Sequence, residues 1–233
     1  MVALEASRAY FDESRIDEQF PVVAGFWASI EKWENCEREI SEALLDKPLH
    51  VKKAKKYLRG YPLKFANILN RHNLLPVYST VERSFFGDIW ELQGDGDIQY
   101  ADPYTTCAFN CCQMLDILAQ QRKWQPPTRI VFDDNEGDPR WANLDLGYRD
   151  YIAGHPNSLL SKTASFEDDE DTLPLLAADF YAWLLSRKFN RGLVGEEFYA
   201  LQVLNSRERL LAEVTNEKFL KQWGLEEVEV AES

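Results

Sequence analysis

Histidine and cysteine are scarce in this sequence. Among 233 residues there are 3 histidines and 4 cysteines. Three of the cysteines crowd into the stretch CAFNCC, which lacks the paired C-x-x-C spacing of a zinc site. We therefore expect neither a zinc site nor a histidine-rich metal centre. The four cysteines are expected to be reduced thiols on helices: Cys36, Cys107, Cys111 and Cys112.

Long apolar runs and a secretion signal are also missing. No run reaches the roughly 18 apolar residues that a membrane span needs. The first residues, MVALEASRAYFDESRIDEQF, have neither the basic start nor the apolar centre of a signal peptide. With 45% hydrophobic residues, the chain can still bury a substantial core. We expect a folded protein without a membrane segment, located in the cytoplasm.

Several common ligand-binding and catalytic motifs are absent. There is no phosphate-binding loop, no G-x-G-x-x-G after a predicted strand and no G-x-S-x-G. The acidic run DDNEGD resembles the start of a calcium-binding loop. Counting from Asp133 or Asp134, however, leaves no glycine at loop position six and no glutamate at position twelve. These absences exclude the corresponding nucleotide-binding, serine-hydrolase and EF-hand classes.

Positive charge is in short supply overall but is concentrated in one segment. The net charge of −13 argues against a protein that coats nucleic acid by bulk attraction. Residues 50–72, here called the basic segment, nevertheless contain seven basic residues and no acidic one: Lys52, Lys53, Lys55, Lys56, Arg59, Lys64 and Arg71. With Tyr57 and Tyr61 available to stack on bases, this segment is a candidate nucleic-acid surface. The alternative is a solvated helix face that balances acidic neighbours.

Short β-like runs alternate with helical ones, which is typical of a layered α/β fold. Two opening strands, a hairpin, are predicted in RAYFDES and PVVAGFWASI, followed by a helix over about residues 31–45. Further strands are predicted in LLPVYSTVE, TRIVFDD and SKTASFED. Further helices are predicted in PLKFANILNRH, TTCAFNCCQMLDILAQQ and near residues 139–153. We expect one α/β domain over residues 1–204, with an acidic helix and tail over residues 205–233.

One aspartate interrupts the apolar stretch LPLLAADFYAWLL. This stretch predicts a helix that Asp171 or Thr172 can cap and whose first turn contains Pro174. Asp179 then lies mid-helix on a mostly apolar face. Burying an ionised carboxylate without a partner costs on the order of several kcal/mol or more. The cost is offset when the carboxylate is paired with a positive charge, hydrogen-bonded or bound to a metal. The sequence therefore predicts a partner for Asp179.

Two predicted strands end in acidic residues. YFDE places Asp12 and Glu13 at the end of the first strand, and VFDD places Asp133 and Asp134 at the end of a later one. Ligands gather beyond the carboxyl ends of strands in open α/β sheets. If these strands are adjacent and parallel and the helix of Asp179 crosses their ends, Asp12, Asp133 and Asp179 converge. Mutual repulsion among three carboxylates favours a divalent cation, and oxygen ligands suit Mg²⁺ or Mn²⁺.

Each acid also has a purely structural interpretation. Asp12 can hydrogen-bond the turn that follows its strand. Asp133 competes with Asp134 for the site, and either can cap the following loop. Asp179 can instead form an ion pair with a basic side chain such as Arg187 or a lysine. Glu13 and Asp134 are the weaker metal-ligand candidates.

The chain resembles the domain of unknown function 3800 family in five stretches over about residues 8–192. They are YFDES, PVVAGFWAS, LHVKKAKK, RIVFDD and LPLLAADFYAWLLSRKFNRG. That family is similar to ribonuclease H-like proteins, so the resemblance implies a ribonuclease H-like mixed sheet with flanking helices. It also implies a nuclease-like acidic site, with matching acids at Asp12, Asp133 and Asp179. Arg15 and Leu176 depart from the family's usual Gly and Gln, which leaves the acids intact and alters positions expected near substrate.

These observations predict a metal-dependent enzyme that cleaves phosphodiester bonds of nucleic acid. Asp12, Asp133 and Asp179 are the predicted catalytic residues and metal ligands, supported by Glu13 and Asp134, with Mg²⁺ or Mn²⁺ as cofactor. The predicted nucleic-acid contacts are Lys52, Lys53, Lys55, Lys56, Tyr57 and Arg59. Two alternatives stay open: a non-catalytic interaction protein on the same scaffold, and a metal-dependent phosphatase of small molecules.

Overall fold

The structure is a computed structural model that describes residues 7–14, 18–44, 58–84, 102–123, 127–134, 140–168, 172–206 and 211–215. Strands and helices alternate along these residues. The strands are β1 (Ser7–Ser14), β2 (Val22–Ser29), β3 (Leu75–Val81), β4 (Arg129–Asp133), β5 (Ser165–Glu167) and β6 (Leu211–Thr215). The helices are α1 (Ile30–Leu44), α2 (Pro62–Arg71), α3 (Pro103–Arg122), α4 (Arg140–Gly154), α5 (Leu173–Asn190) and α6 (Glu196–Asn205).

The six strands form one mixed sheet in the order β5-β4-β1-β2-β3-β6. β1 and β2 are an antiparallel hairpin, and β3 continues the antiparallel pairing on the far side of β2. β4 pairs in parallel with both β1 and β5, and β6 pairs in parallel with β3. The sheet centre is therefore β1, with an antiparallel neighbour on one side and a parallel neighbour on the other.

Each face of the sheet is covered by its own set of helices. Tyr10, Phe26 and Val131 lie in the core on one face, which is shared with α1, α2, α5 and α6. Phe11 and Phe132 point to the opposite core, which is shared with α3 and α4. This separation follows from the strand geometry, because successive side chains point to opposite faces. The predicted α/β class, a mixed sheet with flanking helices, is confirmed.

The predicted hairpin, the three later strands and the helices through residues 62–71, 103–122 and 173–190 are all present. Pro174 lies in the first turn of α5 as predicted, and Thr172 is its N-cap residue. The Thr172 hydroxyl does not cap the helix, however, and instead donates to the Glu167 carboxylate at 3.2 Å. Asp171 lies outside the described residues.

The C-terminal part of the chain differs from the prediction. The helix expected after residue 205 is replaced over Leu211–Thr215 by strand β6. This strand joins the sheet edge through parallel pairing with β3, from Val77 beside Leu211 to Val81 beside Thr215. Its backbone partners are more than a hundred residues away in the chain, so helical periodicity alone could not predict it. Helix α6, just before it, was not predicted either.

No helix in the part of the chain that the structure describes is both long enough and apolar enough to cross a membrane.

A glycine allows β1 and β2 to approach closely beside the acidic end of β1. Gly25 pairs with Phe11. A Cβ atom at Gly25 would lie 1.8 Å from the Tyr10 carbonyl oxygen and 2.9 Å from the Phe11 Cδ1 atom. The first distance is far below van der Waals contact and involves backbone, which cannot move aside like a side chain. The hairpin therefore requires glycine at this position.

We expect Gly25→Ala to lower the free energy of unfolding by about 1–3 kcal/mol, because β1 and β2 must separate to admit a methyl group. Urea denaturation measures this change. Gly154→Ala is the matched control, since a Cβ atom there has no neighbour within 4 Å. Equal stability of the two variants would show that the strands do not pack as described.

All four cysteines are free thiols buried in the protein, as predicted. Cys107 and Cys111 lie in the core between α3 and the sheet, where Cys111 Sγ donates to the Val23 carbonyl oxygen at 3.7 Å. Burial raises the pKa of Cys36 and of Cys107 to about 12. At neutral pH these groups are therefore thiols rather than reactive thiolates.

We expect the native protein at pH 8 to react slowly with a chromogenic disulfide reagent. Each thiol is buried and, at Cys36 and Cys107, has a raised pKa, so the reaction must wait for opening of the fold. In guanidinium chloride all four thiols should react within the mixing time. Rapid reaction of two or more thiols in the native protein would contradict the buried placement.

Candidate active site

Two predicted acids follow paired residues on neighbouring parallel strands. Phe11 of β1 lies beside Phe132 of β4, and their rings are 5.7 Å apart. Asp12 and Asp133 come next in their strands, so both acids stand near the carboxyl ends of two adjacent strands. The prediction that these strands are adjacent and parallel is confirmed.

Both acids belong to the face that α5 covers. Tyr10 and Val131, two residues earlier in each strand, lie in the α5-side core. Side chains at i and i+2 share a face, so Asp12 and Asp133 point to the same side. The Asp12 carboxylate accepts a hydrogen bond from the backbone N–H of Glu13 at 2.7 Å. This contact fixes the orientation of one carboxylate.

Helix α5 packs against β1 and β2, and its two ends lie near the carboxyl ends of β5 and β1. At its beginning, Thr172 contacts Glu167, the last residue of β5. At its end, the Asn190 side chain accepts from the Phe20 N–H at 2.9 Å and donates to the Phe20 carbonyl at 3.0 Å. Residue 20 lies in the connection between β1 and β2. The helix thus runs from the end of β5 to the end of the hairpin, and Asp179 lies near its middle.

The three aspartates are nearly inaccessible to solvent. Asp12 is 4% exposed, Asp133 is 6% exposed and Asp179 is 9% exposed. Asp179 is flanked along α5 by buried Ala178 and Phe180, as its position in an apolar stretch predicts. Carboxylates at this depth require compensation by hydrogen bonds, opposite charge or a cation.

Asp179 has an arginine partner, although a different one from that expected. Nη2 of Arg59 donates to Asp179 Oδ1 at 3.1 Å and to Oδ2 at 3.2 Å. Arg187, the partner suggested by the sequence, instead donates from Nε to Glu197 at 2.8 Å. Arg59 lies within residues 58–60, which are helical and stand just before α2. It brings part of the basic segment to Asp179.

Trp183 supports this ion pair from one helical turn further along α5. The Arg59 Cζ atom is 5.4 Å from the centre of the Trp183 ring, and the Arg187 Cζ atom is 5.8 Å from it. Both distances are within cation–π range. Asp179, Trp183 and Arg187 are spaced four residues apart and therefore share one stripe of the helix.

A third strand end carries an acid that sequence reasoning missed. Glu167 of β5 pairs with Asp133 of β4, which extends the row of acids to a third parallel strand. Its carboxylate accepts from Arg129 Nη2 at 2.7 Å as well as from Thr172. The signal was present in the sequence, because SFED repeats the aromatic-then-acidic pattern of YFDE and VFDD.

The remaining predicted site residues are only partly described. Glu13 and Asp134 are partly buried beside the two central acids, and the Asp134 N–H donates to the Glu167 carbonyl at 2.8 Å. Five of the predicted nucleic-acid contacts lie outside the described residues: Lys52, Lys53, Lys55, Lys56 and Tyr57. Arg59 lies within the described residues, where its partly exposed side chain contacts Asp179. Tyr61 is exposed.

The donor atoms of this site fit a divalent cation only in part. Asp12 and Asp133 supply hard carboxylate oxygens at one edge of the sheet, which suits Mg²⁺ or Mn²⁺. Among the described residues, however, no group of three or more His, Cys, Asp or Glu side chains is arranged so that it could hold a metal ion. In this arrangement Arg59 engages both oxygens of Asp179. The three-aspartate metal site therefore stays a prediction, to which Asp12 and Asp133 contribute the adjacent pair.

Comparisons with known proteins include a similarity to a solved structure. No protein-family model and no curated protein matches the chain significantly, so membership of the family that it resembles stays a prediction. A chain in the solved structure of the PCNA:RNase HII complex from Archaeoglobus fulgidus is similar to it with 15% identity and a TM-score of 0.43. The similarity covers 95% of this chain and 89% of that chain. It says nothing about the chemistry of the site.

We expect the interaction between Arg59 and Asp179 to contribute about 1 kcal/mol to the free energy of unfolding. The contribution is modest because the pair is partly exposed to solvent: the Arg59 side chain is 39% exposed and the Asp179 side chain 12%. A double-mutant cycle of Arg59→Gln and Asp179→Asn, measured by urea denaturation, gives this coupling free energy. The matched control is the surface pair of Arg149 and Asp145 on α4, for which we expect no more than about 0.5 kcal/mol. Equal coupling in the two pairs would contradict a special role for the Arg59 contact.

Proposed function

We propose that this protein is a divalent-metal-dependent nuclease that hydrolyses phosphodiester bonds of nucleic acid. The observation that supports it most is the placement of Asp12 and Asp133. Both are buried, and they follow the paired residues Phe11 and Phe132 at the carboxyl ends of adjacent parallel strands. This is the position at which α/β sheets bind ligands.

Asp12 and Asp133 are the residues that hold the cation. A divalent ion held there would supply an activated water and would neutralise charge on the leaving oxygen in phosphodiester cleavage. The Glu13 N–H, which donates to Asp12 Oδ1 at 2.7 Å, keeps that carboxylate oriented. Glu13 follows Asp12 within β1, so its side chain points to the opposite face of the sheet. Glu13 and Asp134 are therefore the weaker candidates for oxygen donors.

Arg59 contributes positive charge at the entrance to this site. Its guanidinium is partly exposed while it contacts Asp179, so it is accessible to an incoming phosphate group. Arginine binds phosphate oxygens through several N–H donors of fixed geometry. The lysines at positions 52–56 and Tyr57 extend this role along the nucleic-acid backbone. Because the net charge is −13, binding is local and falls steeply with salt.

We expect Asp133→Asn to reduce Mn²⁺-dependent cleavage by roughly a hundredfold or more, because the ligand loses its charge. Single-stranded, duplex and hybrid oligonucleotides with a fluorescent end label serve as substrates. The matched control is Asp134→Asn, one residue further, for which we expect a much smaller loss. Calorimetric titration with Mn²⁺ should show the same difference between the variants.

Two results would contradict the proposal. One is cleavage by Asp133→Asn at the rate of the unmodified protein, which would indicate a contaminating nuclease. The other is the absence of both Mn²⁺ binding and cleavage in the unmodified protein across all three substrate types.

The second outcome would favour a non-catalytic interaction protein on the same scaffold. The Arg59–Asp179 contact is the observation that supports this alternative, because it compensates one buried acid without any cation. In that case the acids serve the stability of the fold, and the basic segment binds a protein partner.

A further inference from the structure

A surface groove of about 350 Å³ lies between the end of helix α5 and helix α6. Its walls come from the last turn of α5, the connection between the two helices and one face of α6. The lining residues are Lys188, Leu193, Phe198, Leu201, Gln202 and Asn205. This volume falls within the range of roughly 300–1,000 Å³ that is typical of ligand-binding pockets.

Two glycines in the connection place α6 beside α5. Gly192 has a φ angle of 83° and Gly195 one of 55°, a left-handed conformation that favours glycine. Gly195 is also the N-cap residue of α6. The four lining residues of α6 follow at positions i, i+3, i+4 and i+7, so they share one face of the helix. The local sequence thus determines which side chains reach the groove.

Large apolar side chains at this groove are exposed to solvent. Val194, Phe198 and Tyr199 are between 49% and 63% exposed, and the rings of Phe198 and Tyr199 lie 5.7 Å apart in a T-shaped arrangement. The described residues contain six exposed large apolar side chains, and three of them lie within residues 194–199. Clustered exposed apolar surface is typical of interaction sites.

The polar groups of the groove are hydrogen-bond donors. Lys188 Nζ lies 5.0 Å from the centre of the Phe189 ring, and no carboxylate among the described residues is within ion-pair distance of it. Asn205 Oδ1 already accepts from the Tyr181 hydroxyl at 2.7 Å, so the Asn205 amide offers its Nδ2 group. The described lining includes no acidic side chain. In a chain of net charge −13, the groove is therefore a local site for negative charge.

We propose that this groove binds a partner protein through a segment that carries a large apolar side chain next to a carboxylate. The apolar side chain packs against Leu193, Phe198 and Leu201. The carboxylate accepts from Lys188 Nζ and Asn205 Nδ2. Charge complementarity selects an acidic segment, because a neutral or basic one leaves the lysine without a counter-charge. The interaction does not depend on the proposed nuclease activity.

Val194 and Tyr199 favour a protein over a small molecule as the occupant. Both side chains are exposed, but neither lines the groove. A small ligand inside the groove would leave both in water, whereas a protein segment that crosses the groove also covers its margin. Aromatic residues are enriched in protein–protein interfaces, which agrees with a contact surface larger than the groove itself.

The first test measures the chemistry of the groove with two fluorescent probes on the full chain. Anilinonaphthalenesulfonate is an aromatic anion, and phenylnaphthylamine is its uncharged analogue. We expect Lys188→Gln to weaken binding of the anion at least about threefold, a factor typical of an exposed charge pair, and to leave binding of the uncharged probe unchanged. Phe198→Ala should weaken binding of both probes at least about fivefold, as expected for an aromatic anchor.

Two variants elsewhere on the surface are the matched controls. Lys162→Gln removes an exposed lysine, and Ile117→Ala removes an exposed apolar side chain. Both should bind the probes like the unmodified protein. Unchanged binding of the anion by Lys188→Gln would overturn the proposal. Because Lys188 is exposed, this variant keeps the test decisive even if circular dichroism shows that Phe198→Ala does not fold.

The second test identifies the occupant by selecting a phage-displayed library of random peptides on the full chain. We expect the enriched peptides to share a large apolar residue with an aspartate or glutamate beside it. By fluorescence anisotropy they should bind Lys188→Gln at least about threefold and Phe198→Ala at least about fivefold more weakly than the unmodified protein. Peptides without an acidic residue, or no peptide whose binding depends on Lys188, would overturn the proposal.

Sedimentation velocity tests whether a second copy of this chain is the occupant instead. We expect the unmodified protein and Phe198→Ala to sediment alike. A dimer that Phe198→Ala dissociates would show that another copy fills the groove, and would overturn the proposal of a different partner. None of these results bears on Mn²⁺-dependent cleavage, which Asp133→Asn tests separately.

Discussion

Parallel pairing between β1 and β4 determines where the candidate site lies. The two strands are distant in the chain and are aligned from Arg8 beside Arg129 to Phe11 beside Phe132. A shift by one residue would turn one strand's acid to the opposite face of the sheet. The aromatic and aliphatic side chains of both strands fix this register, since they must fill two separate cores at once.

The same register lowers the stability of the fold, because it buries two carboxylates. Asp12 and Asp133 are buried beneath α5, a helix whose residues from Pro174 to Ser186 are all buried. Desolvation of each carboxylate costs several kcal/mol, of the order found for buried ions. The Glu13 N–H offsets part of this cost at Asp12, and Arg59 does the same for the buried carboxylate of Asp179. Apolar residues at these positions would stabilise the fold more than the acids do. Acids at such positions are typical of functional sites.

Local sequence patterns predicted much of this arrangement. The β-branched and aromatic residues of residues 7–14 and 22–29 predicted the hairpin, and the apolar stretch around Asp179 predicted a buried helix with a compensating partner. The convergence of strand ends followed from the general rule for α/β sheets. These features depend on the periodicity of apolar residues within a single segment of roughly ten to twenty residues, and sequence patterns of that length can be recognised.

Contacts between distant segments could not be predicted in the same way. Arg59 and Asp179 are 120 residues apart, and nothing local distinguishes Arg59 from six other basic residues of its segment. The sequence suggested Arg187 because it lies on the same helix stripe, but Glu197 already engages it. Glu167 was overlooked because β5 has only three residues. Strand β6 was overlooked because residues 211–215 have a helical sequence pattern, while their strand structure depends on pairing with the distant β3.

The brevity of β5 has a consequence for the behaviour of the protein in solution. Outermost in the sheet order, this strand spans Ser165–Glu167, and the Arg129 guanidinium contacts both of its terminal side chains. An exposed edge strand that is long, flat and uncharged pairs readily with strands of other molecules. A three-residue margin bearing an ion pair is a poor template for such recruitment, so this side of the molecule resists fibril growth even in concentrated preparations.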